Sequence, residues 1–158
     1  MTEKLSAPER VQNAFASLLL AAHELNSESN ELGKSIADLD ASLQKLNLGV
    51  SAWVPFMETA DEDGWYCHRE IGYAKTGTTW GISLREVEGD VERPDQETVE
   101  SWLFDNSPRW MRIESIGKIP DLLEKLIKQA EETTKKMKAK NAQAKELATA
   151  IKTVAAAK

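Results

Sequence analysis

All five tryptophans and both tyrosines fall between Trp53 and Trp110, and Phe15 is the one aromatic residue outside that span. Nothing constrains the fold more. Aromatic and β-branched side chains fit a pleated, half-buried surface, so the middle of the chain reads as sheet. In Thr79–Glu86, Trp80, Ile82 and Leu84 alternate with Gly81, Ser83 and Arg85, a period of two. Lys75-Thr76-Gly77-Thr78 supplies the glycine that a tight hairpin needs. The spacing predicts a hairpin of Trp65–Lys75 and Thr79–Glu88. Val50–Met57 precedes it across an acidic loop, Glu58–Gly64. A fourth strand is expected at Val99–Phe104, with a short helix capped by Asp95 as the competing reading.

The segments on either side follow a different period. Ser6-Ala7-Pro8-Glu9 has the form of a capping box with proline in the first turn. From there Val11, Phe15, Leu18, Ala22, Leu25, Leu32, Ile36, Leu39, Leu43 and Leu46 keep a 4-3 spacing, with Ser29 in the one slot left open. That is a heptad repeat over about five heptads, the pattern of a helix that supercoils with a partner. Gly49 is the expected stop. After Pro120 the series Leu123, Leu126, Ala130, Thr133, Met137, Lys140, Ala144, Leu147, Ile151 and Val154 repeats the same alternation. Each helix would be more than about 50 Å long at 1.5 Å per residue. An antiparallel pair would bring Leu46 near Leu123, Ile36 near Ala130, Ala22 near Ala144 and Val11 near Val154. Between sheet and last helix, Ser107-Pro108 opens a short helix to Ile116, with Trp110, Ile113 and Ile116 on the side expected to cover the sheet.

The expected fold is therefore α+β. Residues 1–48 form a stalk helix, residues 49–118 a head of three or four antiparallel strands with a short helix, and residues 119–158 the second stalk helix. Helix–β–helix order resembles that of prefoldin-type chaperone subunits, a likeness of element order that no sequence motif carries.

Charge and composition remove several classes of function. Hydrophobic residues make up 41% of the 158, too many for a disordered chain. The longest apolar run, Ala14–Ala22, falls short of the ~20 residues a membrane span requires. A lone cysteine, Cys67, forbids an internal disulfide and fits a reducing compartment, so a cytoplasmic protein is expected. Residues 49–118 hold seven basic and fourteen acidic side chains, a balance that repels phosphate backbones and argues against nucleic acid. Residues 1–48 carry four basic and seven acidic groups, and residues 119–158 nine and five, so the two arms are opposite in sign.

Candidate chemistry is sparse. Cys67-His68 suggests a nucleophile and base, but neighbours on a strand point to opposite faces. The two histidines, His23 and His68, belong to no metal-ligand spacing, and Asp61-Glu62-Asp63-Gly64 lacks the later ligands of a calcium loop. No metal or cofactor is expected. Arg69, Arg85, Arg109 and Arg112 invite an anionic ligand, while Glu70, Glu86 and Glu114 stand ready to pair with them. With Trp65 and His68 these arginines are the candidate partner- or ligand-binding residues. On the first helix, Phe15, Ala16, Leu19 and Leu20 exceed what one seam can hide, so they are the candidate self-association residues, giving a four-helix bundle between two copies. The leading expectation is a scaffold or chaperone-like interaction protein with an acidic aromatic head. The alternative is a small-molecule binder or enzyme with a pocket in that head.

Overall fold

The computed structural model describes residues 3–157. The chain is α+β, with an N-terminal helix, a four-stranded antiparallel sheet and a long C-terminal helix. It divides into two units, one ending at Ser42 and one beginning at Leu43. The first unit is part of a single helix, α1, which spans Ala7–Lys45. Its start follows the capping box: the Ser6 amide and hydroxyl both donate to Glu9 Oε2 at 2.8 Å, and the Glu9 amide returns a bond of 3.4 Å to Ser6 Oγ. Its end departs from expectation. Asn47, at φ 48°, takes the left-handed position after the last turn, two residues before Gly49. Asparagine tolerates that region better than other side-chain-bearing residues, which is why the helix stops early.

The second unit begins in the last turn of α1 and contains the sheet. Strands β1 (Ala52–Ala60), β2 (Trp65–Thr76), β3 (Thr79–Asp90) and β4 (Thr98–Leu103) form a meander in the order β1-β2-β3-β4. The predicted hairpin is present, with Thr76 opposite Thr79 and a two-residue loop. Gly77 stands first in that loop at φ 65° and Thr78 has no positive φ, the arrangement of a type II′ turn. β1 runs three residues beyond Met57, so the loop is shorter than the acidic run. Pro55 is tolerated because β1 is an edge strand, and Phe56 is the extra residue of a bulge between Pro55 and Met57. The uncertain stretch before β4 resolves into a 3₁₀ turn at Pro94–Gln96, and another at Phe104–Asn106 follows the strand.

Register fixes the two faces of the sheet. Ala52, Val54, Cys67, Ile71, Tyr73, Ile82 and Leu84 share one face and are all buried. Helix α2 (Arg109–Ser115) packs on β2, and α3 (Ile119–Ala156) packs across β1 and β2. Ile71, Leu84 and Leu122 are fully buried; each contributes about 1.5–3 kcal/mol on burial. α2 is rotated from the expected orientation. Met111 and Ser115 are its buried residues, whereas Ile113 is 60% exposed. The Met111 and Arg112 amides both bond back to the Pro108 carbonyl, closing the first turn. Between α2 and α3 the chain does not break into a loop. A 3₁₀ turn, Ile116–Lys118, keeps the right-handed conformation and leads straight into α3.

Buried hydroxyls find partners close by. Ser83 Oγ donates to the Gly81 carbonyl at 3.2 Å, Ser107 Oγ to Phe104 at 2.6 Å and Ser115 Oγ to Arg112 at 3.1 Å. Among the described residues no helix is long and apolar enough to cross a membrane.

Candidate functional site

The six candidate binding residues do not converge on one point. Trp65 and Arg69 lie on the face that carries the core, and His68 and Arg85 on the opposite one, while Arg109 and Arg112 belong to α2. Strand alternation separates them, as it separates Cys67 from His68.

Each sheet arginine is held by neighbours. Arg69 Nε lies 2.9 Å from Glu86, its Nη1 lies 3.4 Å from Met57 Sδ, and its guanidinium sits 5.0 Å from the Trp110 ring. Arg85 makes two contacts to the Glu70 carboxylate, at 3.2 and 3.4 Å, and lies 4.2 Å from the Trp53 ring. A guanidinium that is bidentate to carboxylate and stacked on indole is satisfied in both of its modes. Arg85 meets both conditions, Arg69 makes one carboxylate bond beside its indole, and both arginines brace the sheet. Trp65 Nε1 donates to Glu88 at 2.9 Å.

The face opposite the core holds a second aromatic group. Tyr66 and His68 stack at 5.2 Å, and Tyr66 donates its hydroxyl to the Glu97 carboxylate. That bond holds the phenol above its usual range, helped by partial burial and by the charges of Glu97 and Asp90. His68 Nδ1 is buried without a hydrogen-bond partner. Burial pushes the Cys67 thiol up, the direction that disfavours the reactive thiolate. The Asp61–Gly64 loop is a structural turn, since Asp61 Oδ1 accepts from the amides of Asp63 and Trp65, both at 3.0 Å. Among the described residues no cluster of three or more His, Cys, Asp or Glu side chains is disposed to hold a metal.

Two hollows of the second unit border the sheet and the start of α3. One, of about 310 Å³, is bounded by Gln44, Leu48, Tyr73, Thr79 and Trp80 at the hairpin end of the sheet. The Gln44 amide there is committed, with Nε2 bonded to the Trp80 carbonyl at 2.8 Å. The other is an apolar groove of about 610 Å³ between Leu43, Leu46 and Leu48 on one side and Leu123, Ile127 and Ala130 of α3 on the other. Its far end is charged, lined by Glu131, Lys135 and Lys138. Sequence reasoning missed this groove. Its signal was Leu48 and Ile127, two apolar residues that stand outside both heptad series.

The candidate association residues lie in the first unit. Phe15 and Leu19 are each 58% exposed and Leu20 is 76% exposed. On α3 the heptad residues Leu147, Ile151 and Val154 are likewise exposed.

No protein-family model, curated protein or solved structure matches this chain.

Proposed function

We propose that this chain is a non-enzymatic interaction protein, a scaffold or chaperone-like subunit that self-associates through its two terminal helices and presents its acidic, aromatic head to a protein partner. The observation that carries the reading is the row of large apolar side chains on α1, from Val11 through Phe15, Leu18, Leu19 and Leu20 to Leu25, that stays exposed. A monomeric soluble protein rarely leaves so continuous an apolar stripe in water. The first unit is a segment of one helix and holds no core of its own, so its stripe needs a partner surface.

Two features favour the matching heptads as that surface. The 4-3 spacing is kept in both helices, and it suits an antiparallel coiled pair within the chain. α1 carries six acidic and three basic residues and α3 five acidic and eight basic, so the helices attract. Phe15, Ala16, Leu19 and Leu20 then join two such pairs in a four-helix bundle. The head contributes Trp110 and Ile113 as apolar contacts for a partner, set in a strongly acidic surround.

The alternative, a small-molecule site in the head, loses ground on geometry. A ligand pocket needs several polar groups converging on one cavity. The candidate arginines lie on two faces, and Arg69 and Arg85 are braced by carboxylates. Sedimentation velocity from about 1 to 50 µM tests the proposal. A mass of two or more chains is expected, and it should fall to one chain with Leu19→Glu and Leu20→Glu together. A monomer throughout that range sinks the reading.

A further inference from the structure

Resting on that self-association reading, we infer that the apolar groove beside α3 is the receiving site for α1 of a second copy, each chain laying the outer face of its N-terminal helix on the other. The groove needs an occupant shaped like a helix. Its α3 wall runs from Leu123 to Lys138, about 22 Å at 1.5 Å per residue. Leu46 and Ile127 on its rim are exposed, at 63% and 58%. Helix-in-groove docking uses side chains spaced three and four apart on one face.

α1 offers such a face. Ala16, Leu19, Leu20 and His23 share one face, with 16/19 and 20/23 three apart and 16/20 and 19/23 four apart, and they lie beside the heptad stripe, not on it. They remain available after Val11, Phe15, Leu18, Ala22 and Leu25 have taken a seam partner. The run from Ala14 to Ala22 carries no charge, which suits the leucine end of the groove.

Charge then selects the direction. With Leu19 seated at Ile127 and the two helices parallel, His23 falls at the level of Glu131. Glu28 and Glu31 fall at the level of Lys135 and Lys138. The acidic stretch of α1 therefore overlies the basic end of the groove, within the ~8 Å over which charges act at physiological salt. Exchange of this kind is reciprocal, so it closes as a two-fold dimer. Two stalks laid head to tail become a four-helix bundle along their length.

The test is a cross-link between chains. Leu19→Cys and Ile127→Cys are made separately and mixed under oxidising conditions. Cys67 is buried and takes no part. A disulfide-linked product containing one chain of each variant is expected, together with at least a ten-fold rise in the dimer dissociation constant for Ile127→Glu. That substitution lies at an exposed position, and unchanged circular dichroism reports an intact fold. If the chain is dimeric but Leu19→Cys links instead to Ile151→Cys, or Ile127→Glu dimerises as wild type, the groove assignment is overturned and self-association survives. A chain that stays monomeric at tens of micromolar overturns both.

Discussion

Tyr66 is the residue whose surroundings make the sharpest demand. Its hydroxyl donates to Glu97, its ring stacks on His68, and Gly89 lies beneath it, where a Cβ would stand 2.6 Å from the hydroxyl. A phenol raised above its unfolded value is favoured neutral in the fold. Its contribution to stability is fully present below the ordinary tyrosine range and is lost as pH rises through the folded value. The alkaline absorbance titration, taken as wild type minus Tyr66→Phe, should have its midpoint above that of a free tyrosine, and Glu97→Gln should move it down. No downward movement removes the carboxylate as the cause. Gly72 makes a steric demand, because a Cβ there would overlap the Trp53 ring and the Ala52 carbonyl. Gly72→Ala should cost about 1–3 kcal/mol in urea unfolding, as overpacked sites do. Gly117→Ala, with open space around it and no positive φ, should be neutral or stabilising by up to about 1 kcal/mol. Equal costs at the two sites would refute the steric account. At this scale the sequence was legible where opposite charges within the predicted hairpin forecast a partner: Glu70 and Glu86 stood ready for the arginines and do hold Arg85 and Arg69. The Trp53–Gly72 and Tyr66–Glu97 contacts were hidden, since each depends on strand register or on a loop that no periodicity reports.

Elements were legible in proportion to the regularity of their signals. The hairpin followed from alternation plus one glycine, and the start of α1 from a four-residue motif whose reciprocal bonds are all made. The cap also carries a charge. Glu9 is held below its usual range by the Ser6 amide and then by the Ser6 hydroxyl, so the cap is intact above the ordinary carboxylate range and is lost as pH falls through the lowered value. Orientation was harder to read. α2 was assigned the Trp110–Ile113 side as its inner face, whereas Met111 and Ser115 are buried. At the start of α3, Leu122, which lies outside the heptad series, is fully buried, while Leu123, which opens it, is only half-buried. A seven-residue helix gives too few turns for a stripe to declare itself, and α3 begins on the sheet before any supercoil can set its phase. Within α1, Asn26, Ser29, Asn30 and Gly33 form a polar belt that interrupts the apolar series. Polar seam residues lower local stability, so amide exchange by mass spectrometry should be faster across residues 26–33 than across residues 36–43. Uniform protection along the helix would show that the belt is no weak point.

At the scale of the whole molecule the two units differ in what holds them. The second has a core of Ile71, Ile82, Leu84, Met111 and Leu122 closed by sheet and helices, and its stability is intramolecular. The first is a helical segment, and a lone amphipathic helix owes most of its stability to packing of its apolar face. Sequence made the two arms visible through period and charge, yet it could not say what covers them, because a heptad states that a partner exists without stating whose helix it is. If a second copy supplies it, helix content must follow mass action. Far-ultraviolet ellipticity per residue should fall when the protein is diluted from tens of micromolar to well below its dimer dissociation constant. The near-ultraviolet signal of the tryptophans, which sit in the second unit, should not change over the same range. Added salt should sharpen the fall by screening the acidic α1 from the basic α3. Helicity that is independent of concentration, beside a monomeric mass, would mean that α1 is stable without a second copy, and assembly would lose its physical motive.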